Sequence, residues 1–444
     1  MASSVVSFRS LKSFLDGAIR EMADPRAPSN ATSYSLHDAL LGAFGCFFMQ
    51  SASFLDYQRQ LNSRHGKDNA QSLFGLEQIP SIEQIRNILD RIPSSSLSEV
   101  FAQVYGQLHE CGYLRRFEVL GGHLLVALDG TEYSSSQSIG CCCSTRKHHN
   151  GLVTYSHKAI LPTVVSPHQA AVVSLAPVFI TPQDGHAKQD SEPAAAKRWL
   201  KQSLKQLTHH QPTTLLGDDL YSRQPMCEAV LAEQADFIFT CLRESHPVLY
   251  DWIDFTASNG NVASFEWQPP EQRTDEVWRI RYLADVPLND SETPLSINWC
   301  ELTVRRTSDE CVLYRNSWVT SHRFDSHPQV IDIVRAGRSR WKTENENHNV
   351  LKTKGYHLDH NFGHGQANLS SVLLSLNLLA FLFHTVLEWS DRLYQQMRQR
   401  RGTRKGFFQD ILALTKYLWF ESWTTLLEFR LDDTKAAKPI TNSS

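Results

Sequence analysis

The chain is 444 residues long, 41% hydrophobic and 20% charged, with a formal net charge of −3 at pH 7. That length allows two or three domains with sizeable cores, and the composition excludes a disordered tail. The near-neutral balance argues against a uniformly basic nucleic-acid binder while leaving room for local basic faces.

The opening stretch, "MASSVVSFRSLKSFLDGAIREM", reads as an amphipathic helix with Asp and Glu inside it. It lacks the apolar core and small-residue cleavage site of a secretory leader. The nine cysteines are therefore expected as reduced thiols in the cytoplasm. Residues 1–118 are predicted helical. "SLHDALLGAFGCFFMQSASFLDYQRQL" carries apolar residues at helical spacing behind a serine cap, and "IPSIEQIRNILDRIP" is a short amphipathic run between a serine start and a proline stop. Arg86 and Arg91 on its polar face suit a helix-turn-helix-like DNA reader; a plain helical bundle is equally compatible.

At residue 119 the pattern changes, and residues 119–244 alternate strands and helices. "LLVAL" is a buried strand ended by Asp129-Gly130, followed by strand-like "LVTYSHKAILPTVVSP" and "AAVVSLAPVFI". A polar loop, "TPQDGHAKQDSE", leads into the helix "PAAAKRWLKQSLKQL", with Pro193 in its first turn and Asp190 or Ser191 as cap. This loop is dense in Asp184, His186, Lys188, Asp190 and Glu192, and a role beside a site is one reading of it. "TTLLGDD" is a second short buried strand ending in carboxylates, then "QPMCEAVLAEQ" reads as helix and "DFIFTCL" as strand. The alternation predicts a mixed α/β sheet with flanking helices.

Residues 245–325 are expected to form a β-rich insertion of strands separated by Pro, Asn, Asp and Ser turns. Its tryptophans Trp267, Trp278, Trp299 and Trp318 are expected mainly in its core, stacking on bases being the minority reading. Residues 326–390 return to helix, first "VIDIVRAGRSRWKTENENHNVLKTKG" and then "VLLSLNLLAFLFHTVLEW". The latter contains Ser375, Asn377, His384 and Glu388, too polar for a membrane span and better read as a buried helix. Residues 391–444 form a basic helical C-terminal segment around "RLYQQMRQRRGTRK".

Asp129, Asp218 with Asp219, and Glu344 with Glu346 are far apart in the chain. Carboxylates at strand ends of an α/β sheet open into the crevice where ligands bind, so they can meet there. Converging acidic groups hold divalent ions for phosphoryl transfer, hard Mg²⁺ preferring oxygen ligands. Taken singly, each of these positions reads as readily as a turn former.

"LDGTEYSSS", "LLGDDLYS" and "RSRWKTENENHNVLK" together resemble the three blocks of the DDE transposases of bacterial insertion sequences, in the branch with a β-rich insertion between the second aspartate and the glutamate. The resemblance covers roughly residues 120–385. It implies an RNase H-like catalytic domain, two Mg²⁺ (or Mn²⁺) ions, and cleavage at transposon ends followed by strand transfer into target DNA. Synapsis of two ends implies a homodimer on double-stranded DNA, and the setting implied is the bacterial cytoplasm, associated with the nucleoid. By the same resemblance Asp129, Asp218 and Glu344 are the catalytic, metal-holding residues, with Asp219 and Glu346 as alternates. Asp218 with Tyr221 fits the spacing of the second block, and Arg340 with Glu344 that of the third. Lys352 comes one position later than the family's lysine, and Gly337 stands where the family carries a tyrosine.

On a helix Glu344 and Glu346 differ by about 200°, so only one can face the metals. Arg340, one turn before Glu344, is placed to clamp a phosphate, and Lys352 and Lys354 to contact the DNA backbone. Arg146 and Lys147 are further DNA-contact candidates near the first aspartate. A solvated helix face is the plainer reading of these basic residues.

"HLDHNFGH" offers His357, Asp359, His360 and His364, a spacing that suggests zinc, but Gly363 and Gly365 disfavour the helix such a motif uses. His360 and His364 are assigned instead to a supporting loop behind the glutamate. In "CCCSTRKHHN" three adjacent cysteines cannot all point at one ion; Cys143 with His148, His149 or His157 remains a weaker metal reading beside plain surface thiols. A transposase-derived DNA-binding protein that no longer cuts, and a zinc hydrolase built on the histidines, are the rival readings.

Overall fold

The computed structural model describes residues 6–27, 34–61, 68–149, 152–182, 190–270, 275–360 and 362–432. Asp184, His186 and Lys188 of the polar loop lie outside them. Thirteen strands occur among the described residues: β1 (Leu124–Ala127), β2 (Gly130–Ser136), β3 (Thr145–His149), β4 (Leu152–Ile160), β5 (Thr163–Val165), β6 (Val173–Ser174), β7 (Val178–Ile180), β8 (Thr213–Gly217), β9 (Asp236–Thr240), β10 (Ala263–Trp267), β11 (Glu276–Pro287), β12 (Ser296–Arg306) and β13 (Val312–Thr320).

The main sheet has nine strands in the order β10-β11-β12-β13-β9-β8-β1-β5-β6. Its centre is parallel, β1 beside β8 and β8 beside β9, and both flanks are antiparallel. The central strands β1 and β8 are buried along their whole length, which is why they read as uninterrupted apolar runs rather than alternating ones. The expected mixed sheet with flanking helices is what forms. Strands β10–β13 hydrogen-bond in sequence and join β9 through β13, so this segment continues the main sheet instead of forming one of its own.

A second, four-stranded sheet is built on β4, with β2 along one edge and β3 and then β7 along the other. Asp129-Gly130 is thus a corner from which β2 departs rather than a tight turn. Any Cβ at position 130 would overlap the Glu192 carboxylate, so only glycine lets that side chain approach the backbone. Within residues 245–325 the sequence reading missed a helix, Pro247–Ser258. Proline opens it, where its missing N–H costs nothing, and Leu249, Tyr250 and Ile253 bury one face.

The long helix Leu369–Ser390 is buried from Leu369 through Leu387 and is the central rod of the helical layer. An all-round apolar helix must be covered on every side. Here helix Leu36–Phe48 supplies part of that cover, with the Phe44 and Phe383 rings edge to face at 5.2 Å, an arrangement worth about 0.5–1.5 kcal/mol beyond area burial. Helix Leu36–Phe48 is therefore core. Arg86, expected on a DNA-reading face, instead donates its Nε–H to the Phe362 carbonyl at 2.8 Å.

Much of the C-terminal basic cluster is spent internally. Arg398 and Arg404 pair with Glu388, and Arg401 and Arg430 with Asp410. Trp278, Trp299 and Trp318 are buried, as expected, while Trp267 is half-buried at the edge of the core, and Arg338 stacks over Trp278 with its guanidinium 4.8 Å from the ring centre.

Candidate active site

Parallel β1 and β8 are in step, Ala127 opposite Leu216, so two residues further on Asp129 and Asp218 leave neighbouring strands at the same level. Neighbouring strands lie about 4.8 Å apart, which delivers two carboxyl groups to one crevice at the carboxyl ends of the strands. Asp219, the next residue, turns the other way. It accepts hydrogen bonds from the Leu242 N–H at 2.7 Å and the Ser245 hydroxyl at 2.6 Å, which fasten the loop after β9.

The third carboxylate comes from a segment whose local geometry departs from expectation. Helix His327–Arg338 ends, a turn follows, and Thr343–His348 forms a wide π-type turn before the short helix Asn349–Thr353. The predicted continuous helix is thus broken, and Lys354 caps its last piece rather than extending it. The reason lies in the buried polar residues. Lys342 donates to the carbonyls of Ser166 and Gln169, both at 2.6 Å, and Asn347 and Thr343 bond the Thr163 hydroxyl of β5. Those bonds fix one face against the sheet and leave Glu344 outward.

Arg340 joins the pieces: its guanidinium lies 3.3 Å from Asp129 and 2.8 Å from Glu344. His348 Nδ1 lies 3.4 Å from the other Asp129 oxygen, and its buried Nε2 has no hydrogen-bond partner among the described residues. Positions 340, 344 and 348 recur every four residues, a same-face signal that was present in the sequence and unused for His348. Glu346 faces elsewhere, into a groove shared with Val350, Lys354, Arg398 and Arg404. Gly337 is explained by packing, because any Cβ there would overlap the Trp318 indole; a tyrosine has no room.

A fourth carboxylate, Glu192, enters from the first turn of helix Glu192–Trp199. It accepts the Tyr221 hydroxyl at 2.8 Å and a hydrogen bond from the Gly130 backbone N–H. The sequence marked it only as part of a dense polar loop; Tyr221, buried in this chain, is what ties it to the second aspartate's turn.

This crowding shifts the acids. Burial, with Glu344, Glu192 and Asp218 adding like charge, pushes the Asp129 carboxyl up to about 7 although Arg340 opposes it. Burial likewise raises Asp218 and Glu192. Burial, reinforced by Lys352 and Arg340, lowers His348 to about 4, so its ring is neutral. The carboxylates offer oxygen donors, the type a hard divalent cation takes, with the Arg340 guanidinium lying between Asp129 and Glu344.

The remaining candidates are dispersed. Lys352 lies 3.6 Å from Asp359. Lys354 is exposed at a helix end, and Arg146 and Lys147 are exposed on β3, with Arg146 over the Tyr155 ring. His360 is exposed beside Phe362, whereas His364 turns inward onto His157. Cys141, rather than Cys143, is the cysteine that approaches His157. No protein-family model matches the chain, and a comparison with curated proteins likewise finds no match.

Proposed function

We propose that this chain is a DDE-type DNA transposase. In this reading an RNase H-like catalytic core, carrying β10–β13 as its insertion, cleaves DNA at the ends of an insertion sequence and joins them to target DNA. The observation that carries it is the shared level of Asp129 and Asp218 on parallel neighbours, with Glu344 linked to Asp129 through Arg340. Asp129, Asp218 and Glu344 would hold two Mg²⁺ or Mn²⁺ ions, which when bound activate the attacking oxygen and neutralise the leaving one in an in-line displacement. Glu192 and Tyr221 brace the aspartates, and neutral His348 orients Asp129. Arg340, released from the carboxylates, is placed to hold a phosphate of the bound strand. Double-stranded DNA and a second copy of the chain are the partners this reading requires, in the cytoplasm.

The test is Mg²⁺-dependent cleavage of DNA carrying the gene's own flanks by wild type, Asp129→Ala and Glu344→Ala. Cuts at defined flank positions that both substitutions abolish support the proposal. Tight flank binding with no cutting in Mg²⁺ or Mn²⁺ replaces it with a DNA-binding protein that has lost catalysis.

A further inference from the structure

Away from the carboxylates, Cys141, His157 and His364 bring one ligand atom each to within 4.8 Å of one another. They come from three separate pieces of chain: the loop between β2 and β3, strand β4, and the loop before helix Leu369–Ser390. A tight turn at Cys141–Ser144 orients the first of them. The Ser144 hydroxyl donates to the Cys141 carbonyl at 2.8 Å and accepts from the Cys141 N–H at 3.2 Å. The same turn sends Cys142 outward, its thiol 3.4 Å from the Gln366 carbonyl.

The imidazoles are held from behind. His364 Nδ1 is 3.0 Å from the Gly365 carbonyl, which can only accept, so the proton belongs on Nδ1 and Nε2 presents a lone pair. His157 Nδ1 faces the Ser370 hydroxyl at 3.2 Å. The two Nε2 atoms are left facing each other at 2.9 Å, with Cys141 Sγ 3.6 Å from that of His157. Outer partners on the far ring nitrogens are the usual companions of metal-bound histidine. In a tetrahedral zinc site, bonds of about 2.0–2.1 Å to nitrogen and about 2.3 Å to sulfur put N···N near ~3.3 Å and N···S near ~3.5 Å. The Cys141–His157 distance already matches, and the nitrogens need open only by a few tenths of an ångström. Cys143 turns toward Cys142, their sulfurs 3.8 Å apart, so three protein ligands converge here.

We propose that Cys141, His157 and His364 bind a structural zinc ion, with water completing the tetrahedron. Soft thiolate with imidazole selects zinc over the hard ions suited to the carboxylate crevice. Its place explains its use. β4 pairs with β2, which begins next to Asp129, and Ser370 begins the central helix, so the ion would staple the small sheet to that rod. A staple between distant segments stabilises the folded chain, because the unfolded chain holds no preformed site. The assignment stands apart from the strand-transfer reading and does not depend on it.

The experiment is zinc analysis of the purified full chain after dialysis, beside Cys141→Ser, His364→Gln, Ser370→Ala and Cys142→Ser. Wild type and Cys142→Ser should retain stoichiometric zinc, and Cys141→Ser and His364→Gln should lose it. Ser370→Ala should bind about 10-fold more weakly. Should the ligand variants fail to fold, Co²⁺ added to chelator-treated wild type must give a thiolate-to-metal charge-transfer band. Wild type with neither zinc nor that band overturns the proposal in favour of a plain hydrogen bond between the two histidines. Zinc retained by both ligand variants overturns it as well.

Discussion

The Arg340 guanidinium lies 3.3 Å from Asp129, yet Asp129 still holds its proton up to about pH 7. One arginine does not offset burial and three neighbouring acids. Because the folded-state value is raised above the ordinary 3.8, the native chain binds this proton more tightly than the unfolded chain does. Stability from this group is therefore present at acid pH and is lost as pH rises toward 7. Asp129→Asn should remove that dependence, making the variant more stable than wild type at pH 8 by roughly 1–3 kcal/mol relative to their difference at pH 4. Mg²⁺ should raise the melting temperature of wild type at pH 8 and leave Asp129→Asn unmoved. Parallel melting curves across the pH range would show that Asp129 is an ordinary acid.

Asp218 and Asp219 are adjacent and should fail differently. Asp219 supports the Leu242 N–H and Ser245 hydroxyl, so Asp219→Ala should cost about 1–3 kcal/mol in denaturant unfolding. Asp218→Asn should unfold like wild type while Mg²⁺-dependent cleavage disappears. Equal stability losses in the two variants would count against separate roles.

Glu192→Gln should move the pH dependence of metal-dependent activity to the acid side, by about half a unit or more. The substitution keeps an acceptor for Tyr221 and removes a charge that raises Asp129. The pH at half-maximal rate is the readout, and a shift to the alkaline side would contradict the electrostatic account.

Arg404 is 13% exposed and reaches Glu388 at 2.9 Å, and it donates to the Tyr356 hydroxyl, which in turn meets His384 of the central helix. Replacing Arg404 leaves Glu388 paired with Arg398 alone and takes a donor from the Tyr356 hydroxyl. Arg404→Met should destabilise the chain by ~1–3 kcal/mol in chemical denaturation, whereas Arg401→Met, on the surface with Asp410, should cost less than ~1 kcal/mol.

By itself the sequence determined the elements whose signal is local. Apolar runs gave β1, β8 and β9, the long apolar stretch at 372–389 gave most of the buried rod, and Ser81 and Ser191 announced the helices that they cap. The residues of the candidate site were legible only as carboxylates at element ends, joined by a family resemblance. Tertiary structure decided the rest, because strand register and long-range hydrogen bonds depend on partners far along the chain. It set Asp129 level with Asp218, turned Asp219 and Glu346 away, and broke the Glu344 helix so that Lys342, Thr343 and Asn347 could reach β5 and the loop beyond it. It also drew Glu192 beside Gly130 and His364 onto His157, 207 residues away, contacts that no local periodicity encodes.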